Sequence, residues 1–209
     1  MTLQLNLAAL LLLSEGKIMA AIAVTTSPLI RQYTLEEFWE LDNPPGGGHY
    51  ELIAGVLYMV PPPDWPHTTA VSHLIRLFSS HLAAHPELGE LFVPRAAIWT
   101  STHTYLEPDL MFVSTAHLEQ MTPGRLTTAD LVVEVISPST AVYDRTTKAD
   151  TYAALGVSEL WLLDAAQKTI EQRVLGSNDW ERITLYGSGE TIQAVHLPGF
   201  SCDVLAVFS

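Results

Sequence analysis

A single cysteine, Cys202, in 209 residues leaves no partner for an internal disulfide and rules out a cysteine-rich zinc site. A reducing compartment suits such a chain, and the cytoplasm is the expected location. Positive charge is scarce as well. Lys and Arg number 10 against 23 Asp and Glu, a formal charge of −13 at pH 7. This argues against a broadly basic nucleic-acid grip, because non-specific affinity comes largely from cations that displace phosphate counterions. It leaves room for a small nucleic-acid site whose acids are covered by a divalent ion. Long apolar runs are missing too: Leu7 to Leu13 is much shorter than the about 20 residues a membrane-spanning helix needs, so no membrane partner is expected. A secretory signal needs a basic N-terminal region, and the first Lys or Arg is Lys17. Met19, followed by small residues, instead marks an alternative start that would place residues 1–18 upstream of the native protein. The chain also lacks a Gly-x-x-x-x-Gly-Lys-Ser/Thr loop, a Gly-x-Gly-x-x-Gly turn and a Gly-x-Ser-x-Gly elbow, which removes P-loop nucleotide hydrolysis and serine hydrolysis.

What is present is core-forming material: 48% of the residues are hydrophobic and only 16% are charged. Residues 31–209 are expected to form one domain, with 1–30 as an N-terminal extension. Thr34 stands three residues before Glu37, a capping-box spacing that predicts a short helix to Leu41. Tyr50–Ile53 and Val56–Val60 read as a hairpin about Ala54-Gly55. From His67 the apolar residues Val71, Leu74, Ile75, Phe78 and Leu82 recur at helical spacing until Pro86. Leu91 to Thr100 reads as a strand with an edge or bulge at Pro94, and Leu110 to Val113 as a short strand. Leu131–Ile136 is a nearly continuous apolar, β-branched run, as in a central strand covered on both faces. Tyr143 to Leu155 reads as a helix closed by Gly156. Strands at Glu159–Leu163, Thr169–Val174 and Trp180–Tyr186 make a C-terminal antiparallel meander, and the segment from Ile192 to Val207 adds one more strand or a cap. The fold class is therefore α/β (α+β), a sheet with helices on its faces.

Glu134 is the first candidate for chemistry, because a carboxylate inside an apolar strand costs several kcal/mol unless paired, hydrogen-bonded or metal-bound. It is either a structural partner of a buried cation or a metal ligand or general base. Asp109, after Pro108 at the mouth of another strand, can reach the same sheet edge, and two convergent acids offer hard oxygen ligands to Mg²⁺ or Mn²⁺. Asp144, Lys148 and Tyr152 are four apart on one helix; they form either an ordinary surface pair or a face that brings an ammonium over the carboxylates. Glu51 is either a further ligand or an exposed position of an alternating strand. His67 is either a first-turn helix residue or close to substrate. His81 and His85, four apart but without the Glu of a metalloprotease motif, read as surface residues.

Taken together, Tyr50-Glu51-Leu52-Ile53-Ala54-Gly55, Pro66-His67, Glu107-Pro108-Asp109-Leu110, Asp130 to Thr140, Asp144 with Lys148 and Tyr152, and Gly156 to Trp161 resemble the Uma family of restriction-endonuclease-like proteins in the PD-(D/E)XK nuclease superfamily. The resemblance runs from about Tyr33 to the C-terminus. It implies a restriction-endonuclease-like core, a mixed central sheet flanked by helices, with a metal site where two central strands diverge. Glu51, Asp109 and Glu134, with the carbonyl of Val135, would hold Mg²⁺ (or Mn²⁺). Ile136 stands where the superfamily usually has Lys, and Lys148 looks like the migrated replacement. Asp144, Tyr152 and His67 would lie near the substrate. The implied reaction is metal-dependent endonucleolytic hydrolysis of DNA phosphodiester bonds, with Arg76, Arg95, Arg125 and Arg145 the candidates to follow the backbone.

Two other readings remain open. A catalytically quiet nuclease-fold module that works as a dimer suits the acidic surface, and a small-substrate phosphodiesterase suits an acidic protein better than long-DNA binding does. A homodimer is also expected of a nuclease that cuts both strands, with the apolar segment from Leu3 to Leu13 packing across subunits.

Overall fold

The computed structural model describes residues 11–12, 19–20, 31–100, 102–137 and 140–209. Contacts divide the chain into two units, Met1–Arg31 and Gln32–Ser209. In the first, strands β1 (Leu11–Leu12) and β2 (Met19–Ala20) pair antiparallel. The rest of the apolar segment expected at a subunit boundary lies outside the described residues.

The second unit opens with α1 (Leu35–Trp39), started by the expected capping box: Thr34 accepts from the Glu37 N–H, and the Glu37 carboxylate accepts from the Thr34 N–H. Strands β3 (His49–Ile53) and β4 (Val56–Val60) form the hairpin. Its two turn residues, Ala54 and Gly55, are both left-handed, with φ of 48° and 81°, the geometry that matches strand twist in a two-residue turn. Helix α2 (Trp65–Ala84) begins two residues before the expected His67, because the Asp64 carboxylate caps it by accepting from the His67 N–H at 2.9 Å. Pro66 costs nothing there, since the first turn has no use for its missing donor.

The single strand expected over Leu91–Thr100 is instead two strands in different sheets, β5 (Gly89–Phe92) and β6 (Ile98–Trp99). Pro94 has no N–H to give a ladder, and Arg95 turns left-handed with φ of 78°, so the chain leaves one sheet and enters the other. Strands β7 (Tyr105–Leu106) and β8 (Leu110–Ser114), helix α3 (Thr115–Leu118) and strand β9 (Leu131–Ile136) follow. The next helical run starts at Ala141, two residues before the expected Tyr143. It comprises α4 (Ala141–Tyr143), a π-helical turn over Asp144–Lys148 and α5 (Ala149–Ala154). Gly156, with φ of 77°, closes it as expected. The meander is β10 (Glu159–Asp164), β11 (Thr169–Leu175) and β12 (Trp180–Tyr186). The last segment supplies both a hairpin, β13 (Thr191–Gln193) with β14 (Ser201–Asp203), and a capping helix, α6 (Val204–Phe208).

Six strands form the main sheet in the order β12-β11-β10-β9-β8-β5, and four form a second sheet, β4-β3-β7-β6. Only β9 and β10 run parallel in the main sheet, Glu134 lying level with Leu162; the other neighbours are antiparallel. Strand alternation divides the core. Leu131, Val133 and Val135 of β9 and Trp161 and Leu163 of β10 pack with α2, the β13–β14 hairpin and α6. Val132 and Ile136 of β9, with Leu160 and Leu162 of β10, face α5 and the second sheet. Glu134 shares that second face.

On the first face Glu159 is fully buried and stands among neutral donors. Its Oε1 accepts from Trp161 Nε1 at 2.7 Å and Gln172 Nε2 at 2.6 Å, and its Oε2 from the backbone N–H groups of Val195 and His196 at 2.8 and 2.7 Å. The same carboxylate thus ties β10 to β11 and to the chain after β13. His81, expected at the surface, is half-buried, with Nε2 3.0 Å from the Pro198 carbonyl and its ring against Phe200. Glu159→Ala would strip four donors of their acceptor at once, two of them in fully buried bonds, and urea denaturation should record a loss of about 3–5 kcal/mol.

Candidate active site

Three elements converge on the second face of β9. The hairpin strand β3 carries Glu51 on the face it shares with His49 and Ile53, opposite Tyr58 of β4. The entry to β8 carries Asp109, and β9 carries Glu134. The helical run above them brings Lys148. The π-helical turn widens the helix where Asp144 and Lys148 both turn inward, and both are buried.

Lys148 Nζ lies 2.8 Å from Glu134 Oε1 and 3.1 Å from Glu51 Oε1. The hydroxyl of Tyr152 donates to Glu134 Oε1 at 2.5 Å. Glu51 accepts from the Tyr143 hydroxyl at 3.0 Å on Oε2 and from the Glu107 N–H at 3.0 Å on Oε1. Asp109 is held at both oxygens: Oδ2 accepts from the Val135 N–H at 2.8 Å, and Oδ1 lies 2.8 Å from His67 Nε2. Val135 therefore fastens Asp109 to the residue after Glu134, which sets the two acids on neighbouring strands. Of these groups Glu51, Glu134, Lys148 and Tyr152 are buried, whereas the side chains of Asp109 and His67 remain 18% and 20% exposed. The cluster opens to solvent at that pair.

Burial pushes the Glu134 carboxyl well up from its ordinary value; Lys148 opposes this, and Asp109, Glu51 and Asp144 add to it. Asp144 is also raised, by burial first, with Lys148 acting against it. Burial pulls the Lys148 ammonium down, but Glu134 and Glu51 outweigh it and hold the amine charged. The Tyr143 and Tyr152 hydroxyls are both pushed up, by burial and by the nearby acids, and so stay neutral donors. Glu51 and Glu134 thus share one buried ammonium, with Asp109 and Asp144 close enough to act on Glu134, and carboxylate oxygens of this kind suit Mg²⁺ or Mn²⁺ rather than a thiophilic metal. With Lys148 between Glu51 and Glu134, no three His, Cys, Asp or Glu side chains among the described residues are gathered as they would be around a metal ion.

Glu51, His67, Asp109, Glu134, Val135, Asp144, Lys148 and Tyr152 all fall in or beside this cluster, with differences of role. Glu51 is fully buried rather than an exposed strand position, because its hairpin face turns toward the main sheet. Tyr152, expected beside a substrate, is fully buried as well and spends its hydroxyl on Glu134. Arg145, a candidate for following a phosphate backbone, is tied to Glu171 instead, because α4 and the π turn pack over β11. Arg125 lies over the Trp99 ring, 4.6 Å from its centroid. Tyr143 and the Glu107 N–H were missed by the sequence reading. Tyr143 does stand next to Asp144 in sequence, but the π turn that aims it at Glu51 leaves no spacing signal, and a backbone donor leaves none at all.

The profile of the Uma2 family, described as "Putative restriction endonuclease", matches residues 35–206, and the chain belongs to this family. Among solved structures, it is similar to a protein described as "a putative nuclease belonging to DUF820" from Anabaena variabilis. The identity is 16% and the TM-score 0.68, over 84% of this chain and 97% of that one, a likeness of fold. A weaker likeness, with a TM-score of 0.36 and 13% identity, links 56% of this chain to 13% of the type IIG restriction endonuclease BpuSI. No curated protein matches the chain. Among the described residues no helix is long and apolar enough to cross a membrane.

In the metal-free protein Lys148→Met should leave two buried glutamates facing each other and lower stability by about 3–5 kcal/mol. Combining it with Glu134→Gln should recover part of that loss, a non-additivity that a denaturant-based double-mutant cycle measures.

Proposed function

We propose that this protein is a metal-dependent endonuclease that hydrolyses phosphodiester bonds of DNA. The observation that carries this reading is the Lys148 ammonium bridging Glu134 and Glu51 at 2.8 and 3.1 Å, with Asp109 fastened to the adjoining strand through the Val135 N–H. Membership of a family described as restriction endonucleases supports it.

In this reading Glu51, Asp109 and Glu134, with the Val135 carbonyl, would hold Mg²⁺ or Mn²⁺, which when bound would supply Lewis acidity toward water and phosphate. Lys148 sets its Nζ–H donors beside the reacting group and stabilises the negative charge that develops on phosphate. Tyr152 fixes the orientation of Glu134 through its 2.5 Å hydrogen bond, and Tyr143 does the same for Glu51 at 3.0 Å. Both are positioning residues. His67 orients Asp109 at the solvent-facing end of the cluster.

A catalytically quiet module is the second reading, favoured by the way Lys148 occupies the space between Glu51 and Glu134. The two readings part on plasmid nicking in Mg²⁺, Mn²⁺ or EDTA. The nuclease reading expects metal-dependent nicking that Asp109→Asn and Lys148→Met each reduce by at least about 100-fold, with circular dichroism establishing that both variants fold. Nicking that is absent, that persists in EDTA or that survives both substitutions defeats it.

A further inference from the structure

We propose that two copies of this chain pair through β12, antiparallel and centred on Thr184, so that their main sheets run on as one. The inference is independent of the nuclease reading and concerns another part of the fold. Among the described residues β12 has one strand neighbour, β11, and so ends the main sheet. The direction of its backbone groups follows from β11. The Leu175 N–H donates to the Ser158 carbonyl at 2.9 Å, on the β10 side. Alternation then turns Arg173 and Glu171 toward β10, and Gln172 and Ile170 toward β12. Opposite Gln172 and Ile170 stand Thr184 and Tyr186 of β12. The N–H and C=O groups of Ile183 and Leu185 therefore point away from β11. The side chains of the same two residues are 57% and 61% exposed.

Outward backbone groups beside exposed aliphatic side chains invite another strand, and a sheet that must stay alone blunts its edge with charge or a bulge. Strand β12 has both at its start only. Trp180 lies opposite Leu175 and Arg182 opposite Val174, so Glu181 is the extra residue of a bulge. From Arg182 to Tyr186 the strand is regular.

That regular stretch matches a second copy of itself. A two-fold axis through Thr184 sets Ile183 of each copy opposite Leu185 of the other, and Arg182 opposite Tyr186. The two Ile183–Leu185 pairs exchange backbone hydrogen bonds and cover each other's side chains. Arg182 meets an aromatic ring, and no like charges are opposed. An axis at Glu181 or Arg182 would set like charges face to face, and one at Ile183 would draw the bulge into the ladder. Charge around the strand favours the same contact. A chain with a formal charge of −13 repels its own copies, so association needs a place where acid is compensated. The carboxylate opposite Leu185 is Glu171, and Arg145 and Arg173 both hold it. The axis stands perpendicular to the sheet, so both carboxylate clusters lie on one side of a sheet with six strands from each copy.

Sedimentation velocity over a concentration series tests the inference. The chain should pass from monomer to dimer and go no further, because each copy has one β12. Leu185→Lys should raise the dimer Kd by at least about 10-fold, since both apolar pairs are lost. Its circular dichroism should be unchanged, because the side chain it alters is exposed. Disulfide trapping reads the register. A directly opposed, non-hydrogen-bonded pair has Cα atoms about 4.5 Å apart, within reach of a disulfide, so Thr184→Cys should oxidise to a covalent dimer. Arg182→Cys should not, because its counterpart lies four residues along the strand, about 13 Å away. The unsubstituted chain, whose one cysteine is buried, sets the background. A monomer at every concentration, a dimer indifferent to Leu185→Lys, a Thr184→Cys variant that gives no covalent dimer, or equal trapping by Arg182→Cys overturns the inference.

Discussion

The Lys148 ammonium between Glu134 and Glu51 is the contact on which the architecture of the second face depends. Glu134 belongs to the main sheet, Glu51 to the hairpin of the second sheet, and Lys148 to the helical run that crosses above them. One buried cation therefore fastens three elements, with the Tyr152–Glu134 and Tyr143–Glu51 hydrogen bonds beside it. Its position depends in turn on the π turn over Asp144–Lys148. Removing one residue from that turn would rotate Lys148 relative to Asp144 and break the bridge, so the helix keeps an irregularity that propensity alone would not select.

The division of labour between the two faces of the main sheet follows from strand alternation. On β9 the odd-numbered residues build the larger apolar cluster with α2 and α6, and the even-numbered ones face the polar centre. A one-residue slip of β9 against β8 would carry Glu134 into the apolar cluster, where no cation waits for it. The Val135 N–H bond to Asp109 works against that slip. It joins the entry of β8 to β9 by a charge-assisted bond just past the last ladder pair, Leu110 with Val133. The contact that positions a candidate ligand thus also holds the register that buries its neighbour.

Much of this was legible in the sequence because the signals were local. The capping box at Thr34, the hairpin at Ala54-Gly55, the apolar run Leu131–Ile136 with its one acid and the closing Gly156 each state their structure within a few residues. Asp109, Glu134 and Lys148 could be joined because each is an anomaly: an acid at a strand mouth, an acid inside an apolar strand, a cation in a chain short of them. The strand expected across Pro94 misled because periodicity does not reveal when a chain changes sheets. Arg145 misled because its partner Glu171 lies on a strand reached only after the crossover. The burial of Glu51 was undecidable from alternation, which gives two faces without saying which one another sheet will cover.

Two buried carboxylate environments, one on each face, show why a buried acid is not by itself a sign of function. Glu159 receives four neutral N–H donors and faces no other acid in that network. Its charge is satisfied in place, and it acts as a staple. Glu134 receives one hydroxyl and shares one ammonium with Glu51, while Asp109 and Asp144 add to the repulsion it feels. A fold selected for stability alone would have removed one of those acids, since replacing a buried charge by an apolar side chain is often neutral or stabilising. Lys148 bridges two of the four, and burial together with the neighbouring acids pushes the Glu134 carboxyl up. The side chains of Asp109 and His67 stay partly exposed at one end of that cluster, as does Tyr143 beside Glu51. The crowded acids therefore lie beside side chains that water still reaches, whereas Glu159 is sealed among its donors.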